Sequence, residues 1–163
     1  MEYFKDKLAQ VKAQIQRQTV IKSDTVLNVG DIVKQRMDRN DGLALKNEYK
    51  DRRKFFVIVG KNSKGDAIGL CLINSDLDFY KNTPAMQPFQ YILKYDNYKT
   101  VLEKDSRLDC AKLFPMKTRK SVAVKAELVG HLIPEDEANV LKLVADCGFI
   151  HAHMKKVYRI GQI

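Results

Sequence analysis

Three cationic residues in a row, Arg52, Arg53 and Lys54, stand immediately before the apolar run Phe55 to Val59, and Asn74, Ser75 and Asp76 stand immediately after the run Ala67 to Ile73. A guanidinium presents its donors in a fixed fork that matches phosphate oxygens, and a hydroxyl or amide adds a further donor. Between the two runs, Asn62, Ser63, Gly65 and Asp66 supply the chemistry of a hairpin turn. Antiparallel strands bring the chain back to the end where it began. The sequence therefore predicts a cationic start and a polar exit side by side, as a phosphate site. No phosphate-binding glycine loop, dinucleotide fingerprint, serine nucleophile elbow or paired-histidine zinc motif occurs in the chain. An enzyme built from this inventory must run on Arg, Lys, Ser, Asn and His. Metal-independent RNA cleavage lies within that reach: the substrate's own 2′-hydroxyl attacks phosphorus, and the protein aligns the attack, moves a proton and stabilises charge on the phosphorus oxygens.

Other reactive side chains are weaker candidates. Cys147, His151 and His153 are close in sequence but lack a fourth ligand and paired spacing, so they read as one buried cysteine and two exposed histidines, with no metal or cofactor predicted. His131, beside Gly130 near a helix start, titrates in the right range for an acid or base, yet without a visible partner it reads as a surface or capping residue. Charge speaks to the partner. Lys and Arg outnumber Asp and Glu by 29 to 20, a formal net charge of +9 spread along all 163 residues, which favours an acidic partner such as nucleic acid. Three cysteines at irregular spacing announce no disulfide framework. The charged N-terminus lacks a secretory apolar core, and no apolar run approaches the roughly 18 residues of a membrane helix. The expectation is a reduced, cytoplasmic protein with no membrane partner.

The elements that must position these residues follow from periodicity. Both runs of the hairpin are nearly continuous in apolar residues, which predicts strands covered on both faces. Residues 3–19 carry Phe4, Leu8, Val11 and Ile15 at helical spacing, predicting an amphipathic N-terminal helix, and residues 22–25 read as a joint to the domain body. Asn28 to Arg36 reads as a turn feeding a strand, and residues 37–50 as a polar loop leading into Arg52. Phe89 to Tyr98 alternates like a strand near an edge; its tyrosines read as packing residues, with stacking on single-stranded bases the alternative. Asp105 to Met116 reads as one short strand and Lys117 to Ala126 as a further basic strand. Pro134, followed by Glu135, Asp136 and Glu137, marks a helix start, and Gly148 is placed to end that helix. The last residues are ambiguous between helix and strand. These elements divide as residues 1–27 (helix and joint), 28–148 (the main domain) and 149–163 (a tail packed on it).

The order of VGDIV (Val29 to Val33), RRKFFVIVG (Arg52 to Gly60), LCLINS (Leu70 to Ser75), DSRLDCAKLF (Asp105 to Phe114) and ELVGHLIPEDEANVLKLV (Glu127 to Val144) resembles the MazF/PemK (Kid) toxins. The resemblance implies a mainly β fold with helices (α+β): a small SH3-like β-barrel of the MazF/PemK/CcdB type with a C-terminal helix, here with an added N-terminal helix. It implies a homodimeric endoribonuclease that cuts single-stranded RNA without a metal, as the toxin of a type II pair held inactive by a cognate antitoxin protein. By position, Arg53 matches the catalytic arginine, donating to the cleaving phosphate and as proton donor, and Asn74 or Ser75 matches the hydroxyl residue after the second strand. Arg52 and Lys54, with Arg36, Arg39 and Lys50 on or beside the loop, would bind RNA. Lys54 and Phe55 stand where the family has Pro-Ala, and a one-residue slip between Asn74 and Ser75 would turn the side chain to the other face of the strand. A different class remains open: a non-catalytic barrel of this type that binds nucleic acid or a protein target.

Overall fold

The computed structural model describes residues 19–45, 50–77 and 83–161. Among these, eight strands form one antiparallel sheet: β1 (Thr19–Val20), β2 (Asp31–Asp38), β3 (Asp51–Lys61), β4 (Ala67–Asn74), β5 (Gln90–Leu93), β6 (Ser106–Asp109), β7 (Phe114–Lys117) and β8 (Glu127–His131). Three α-helices accompany them, α1 (Thr118–Ala123), α2 (Pro134–Asp146) and α3 (Ala152–Val157). The protein is mainly β with helices, an α+β fold. Strand order is β1-β8-β2-β3-β4-β6-β5, and β7 also pairs with β4. β7 takes Ala67 to Leu70 of β4, while β6 takes Ile73 and Asn74.

The central hairpin forms because both of its faces are buried. Side chains of a strand alternate between faces. Val57 and Val59 join Ile32, Cys71 and Ile73 in one apolar cluster, closed by Val140 and Val144 of α2 and by Tyr158 and Ile160. Phe56 and Ile58 join Val33, Met37, Leu70 and Phe114 in a second cluster on the opposite face. Each large side chain so buried contributes roughly 1.5–3 kcal/mol. That is why the two runs are continuous rather than alternating in apolar residues. Gly60 has a packing role: a Cβ there would meet the Tyr158 carbonyl oxygen at 2.5 Å. The close approach lets the Lys61 amide donate to that same oxygen at 3.0 Å.

Several elements depart from the periodicity. Lys117 to Ala126, expected as a strand, is the last residue of β7, helix α1 and a turn. The apolar residues Val122, Val124 and Ala126 do alternate, but Thr118 donates both its amide (2.9 Å) and its hydroxyl (3.2 Å) to the Asp66 carbonyl, and Ser121 is buried with its hydroxyl on Gln35 Oε1 at 2.7 Å. Those long-range bonds favour a helical turn. Asp105 to Met116 is two strands, β6 and β7, because each finds a different part of β4 to pair with. β5 lies at the sheet edge as expected but ends at Leu93; Tyr95–Asn97 is a 3-10 turn, and Asp105 accepts from the Tyr95 amide at 2.8 Å. The start of the polar loop is ordered too. β2 runs on to Asp38, and Arg39–Asp41 form a 3-10 turn closed by a reciprocal capping box between Asp38 and Asp41.

At the chain's two ends, β1 pairs with β8, and Ile21 and Leu27 are buried in the second cluster, so residues 19–27 pack on the sheet. Of the expected helix over residues 3–19, residues 3–18 lie outside the described residues, and Thr19 starts β1 instead. Helix α2 starts at Pro134 with three acidic residues in its first turn and ends at Asp146, just before Gly148. The ambiguous tail resolves as α3. No helix among the described residues is long and apolar enough to cross a membrane.

Candidate nucleic-acid interface

Phe55 pairs with Ile73 across β3 and β4, so the cationic start and the polar exit of the hairpin do lie at the same end of the sheet. Alternation then divides the cations. Arg53 shares the face of Phe55 and Val57, whereas Arg52 and Lys54 share the face of Phe56. On the neighbouring strand, Arg36 is the direct register partner of Arg53, and both side chains are exposed. Cross-strand partners stand about 4.5–5.5 Å apart at Cβ, and like charges so placed repel. Each arginine is balanced by an acid. Arg53 Nη2 lies 2.7 Å from Glu127 Oε1, reaching across β2 to β8, and Arg36 Nη1 lies 3.4 Å from Asp51 Oδ1. Lys34, opposite Phe55, puts its ammonium 5.3 Å from that ring's centre.

The remaining expected residues have other settings. Asn74 ends β4, and its Oδ1 accepts from the Asp76 amide at 3.1 Å, so its side chain shapes the turn. Ser75 lies just past the strand and is exposed; continuing the β3–β4 register places it across from Arg53. Lys54 is half-buried opposite Gln35, and burial, then the Arg52 charge, pulls its ammonium below the usual lysine range. Arg39 folds back to donate to the Leu45 carbonyl at 3.2 Å, and Lys50 is exposed. Arg36, Arg53 and Ser75 thus come together, while Arg52 and Lys54 face the other way.

Some polar groups that the sequence left unmarked are prominent. Glu127 read only as the start of a segment, yet it is the partner of Arg53. Arg107 is fully buried where β6 meets Asn74; its Nε donates to the Asp76 carbonyl at 2.9 Å and its Nη1 to Gln90 Oε1. Gln90 in turn donates to Asp109 at 2.9 Å. This network fixes the backbone on which Ser75 and Asp76 sit. His131 has two partners: Nδ1 is 2.8 Å from Asp31 Oδ1 and Nε2 is 3.2 Å from Glu137 Oε2. The Asp31 hydrogen bond, helped by Glu137 against partial burial, raises the imidazole above its ordinary value. Asp31 is itself buried and accepts from the Asn28 amide at 2.7 Å. Cys147 is buried, and His151 Nδ1 accepts from the His153 amide at 3.1 Å. The partnerships Arg53–Glu127, Arg107–Asp76, Arg107–Gln90 and Asp31–His131 join residues far apart in the chain, so only chain folding reveals them. No family model matches the chain, and no curated protein matches it.

Proposed function

We propose that the protein is a metal-independent endoribonuclease acting on single-stranded RNA, a cytoplasmic toxin of the MazF/PemK type built on an SH3-like barrel, homodimeric and restrained by an antitoxin protein. The observation that carries the reading is the Arg36–Arg53 pair, two exposed guanidiniums side by side on one face with Ser75 at the same end. Irregularities at Ile32/Val33 and at Ile58/Gly60 increase the local bend of the central strands, as barrel closure requires. In this reading the 2′-hydroxyl attacks the adjacent phosphorus and the 5′-oxygen leaves, forming a 2′,3′-cyclic phosphate. A guanidinium does not give up its proton near neutral pH, so Arg53 and Arg36 stabilise the phosphorane oxygens rather than shuttle protons. Glu127, 2.7 Å from Arg53, is the carboxylate placed to accept the 2′-hydroxyl proton, and water protonates the leaving oxygen.

The pairing of Arg53 with Glu127 also favours the second reading, a non-catalytic module that binds RNA. One assay separates them. Wild type and Arg53→Ala are incubated with a long single-stranded RNA in EDTA, and product ends are mapped. Cleavage by wild type alone, leaving cyclic phosphate ends, is the expected outcome. A folded wild type that binds RNA and leaves it intact would establish the module instead.

A further inference from the structure

A second set of cations lies at the opposite end of the β3–β4 hairpin, about 27 Å from Arg53 at roughly 3.4 Å per residue along β3. There Gly65, at φ 74°, turns the chain, and a groove of ≈ 640 Å³ opens beside the turn. Its wall carries Lys64 from the turn, Lys117 from β7, and Lys156 and Arg159 from α3 and the residues after it. Asp66 is the one carboxylate on that wall, and the Asn62 amide already donates to it at 2.5 Å. The contrast with the other end is electrostatic. Arg36 and Arg53 are each balanced by an acid, whereas Lys64, Lys117, Lys156 and Arg159 form no ion pair with a carboxylate among the described residues. Asp66 offsets part of the charge of its neighbours Lys117 and Lys64, but four cations against one carboxylate leave the wall net positive, which favours an anion there.

The walls of the groove are fixed. Thr118 ties the turn to α1 through the Asp66 carbonyl, and the Lys61 amide ties β3 to Tyr158. Lys155 anchors α3 by donating to the Ala145 carbonyl at 2.8 Å. An adjoining pocket of ≈ 430 Å³ shares the turn at Gly65 and continues the positive surface with Lys22 and Arg119.

We propose that this groove binds the phosphodiester backbone of nucleic acid, with Lys64, Lys117, Lys156 and Arg159 as its phosphate contacts. The groove is shallow and open, and it offers Asn62 and Ser63 beside cations spread over the turn, β7 and α3, which suits an extended run of phosphates with hydrogen-bonding sugars and bases between them. The proposal rests on nucleic acid being the partner, as in the function proposed above, but not on cleavage at Arg53.

The test uses the full chain and a fluorescent single-stranded 2′-O-methyl RNA, which cannot be cut through its 2′-position. Affinity is measured against salt for wild type, for K64Q/K117Q/K156Q/R159Q and for R36Q/R53Q, with melting curves as the folding control. The quadruple variant is expected to bind at least about tenfold more weakly at low salt, and its log–log salt slope to fall by roughly 2–3, at about 0.7 per phosphate contact. Binding equal to wild type overturns the proposal; a loss confined to R36Q/R53Q would do so while leaving the Arg36–Arg53 reading intact. A loss in the quadruple variant, alongside a wild type that cuts no natural RNA, supports the groove and removes the nuclease. Should wild type bind phosphatidylserine vesicles and not RNA, the groove is a membrane site and the proposal fails. Photocrosslinking of 4-thiouridine RNA to wild type gives an answer independent of any variant's folding: crosslinks in the peptides around residues 62–66 and 153–159 support it, and their confinement elsewhere overturns it.

Discussion

Replacing Glu127 by Gln keeps the size of the side chain and removes the carboxylate 2.7 Å from Arg53. In bulk water a pair of unit charges at that separation attracts by about 1.5 kcal/mol. Both side chains are more than a third exposed, 39% and 37%, so side-chain entropy and solvent screening reduce the net contribution to about 0.2–1 kcal/mol. Stability should therefore change little, by at most about 2–4 °C in melting temperature for a chain of this size. Binding should change in the opposite sense. An acid beside Arg53 repels an incoming phosphate, and its removal should tighten binding of 2′-O-methyl RNA by about 1.5- to 5-fold, the same 0.2–1 kcal/mol seen from the ligand's side. If Glu127 is the general base, cleavage of natural RNA by the same variant should fall about 10²- to 10⁴-fold. Fluorescence anisotropy reads the first quantity and gel-resolved cleavage in EDTA the second. Tighter binding with lost cleavage is the expected pair of results. Weaker binding would show that Glu127 serves the RNA rather than opposing it, and undiminished cleavage would remove Glu127 from the chemistry.

Two further predictions concern the scaffold. Gly60→Ala should destabilise by about 1–3 kcal/mol in denaturant unfolding, because its Cβ is driven against the Tyr158 backbone oxygen at 2.5 Å. Gly69→Ala comes under 3 Å of Leu113 Cδ1 alone, a side-chain end that can shift, with Leu113 Cγ and Tyr158 Cγ at 3.4 Å, and should cost less; equal costs would refute the close-approach argument. His131 contributes through a raised imidazole, so its stabilisation is full below the ordinary value of 6.5 and is lost as pH rises through the higher folded value. His131→Gln should thus be less stable than wild type at pH 6 and approach it by pH 9, by thermal melts; a gap that widens with pH would contradict the Asp31–His131–Glu137 arrangement.

Elements whose cause is local were legible in the sequence. The hairpin followed from its turn residues and its two continuous apolar runs, because a strand buried on both faces has no polar side to show. Helix α2 followed from Pro134 and the acidic first turn, which satisfy the helix start wherever it sits. That the cationic start and the polar exit of the hairpin share one end of the sheet followed from antiparallel geometry alone. Tertiary structure settled what depends on partners distant in the chain. α1 is helical because Asp66 and Gln35 receive its Thr118 and Ser121, so the alternation of Val122, Val124 and Ala126 misled. Arg52 and Lys54 separate from Arg53 because pairing with β2 starts β3 at Asp51 rather than at Phe55, which carries strand alternation through the cations. The acids that balance Arg36 and Arg53, the two that hold His131, and the lysines meeting around the hairpin turn come from elements brought together only by the sheet and the helices packed on it. Sequence spacing carries residue chemistry and local period; which charges neutralise one another is decided by the fold.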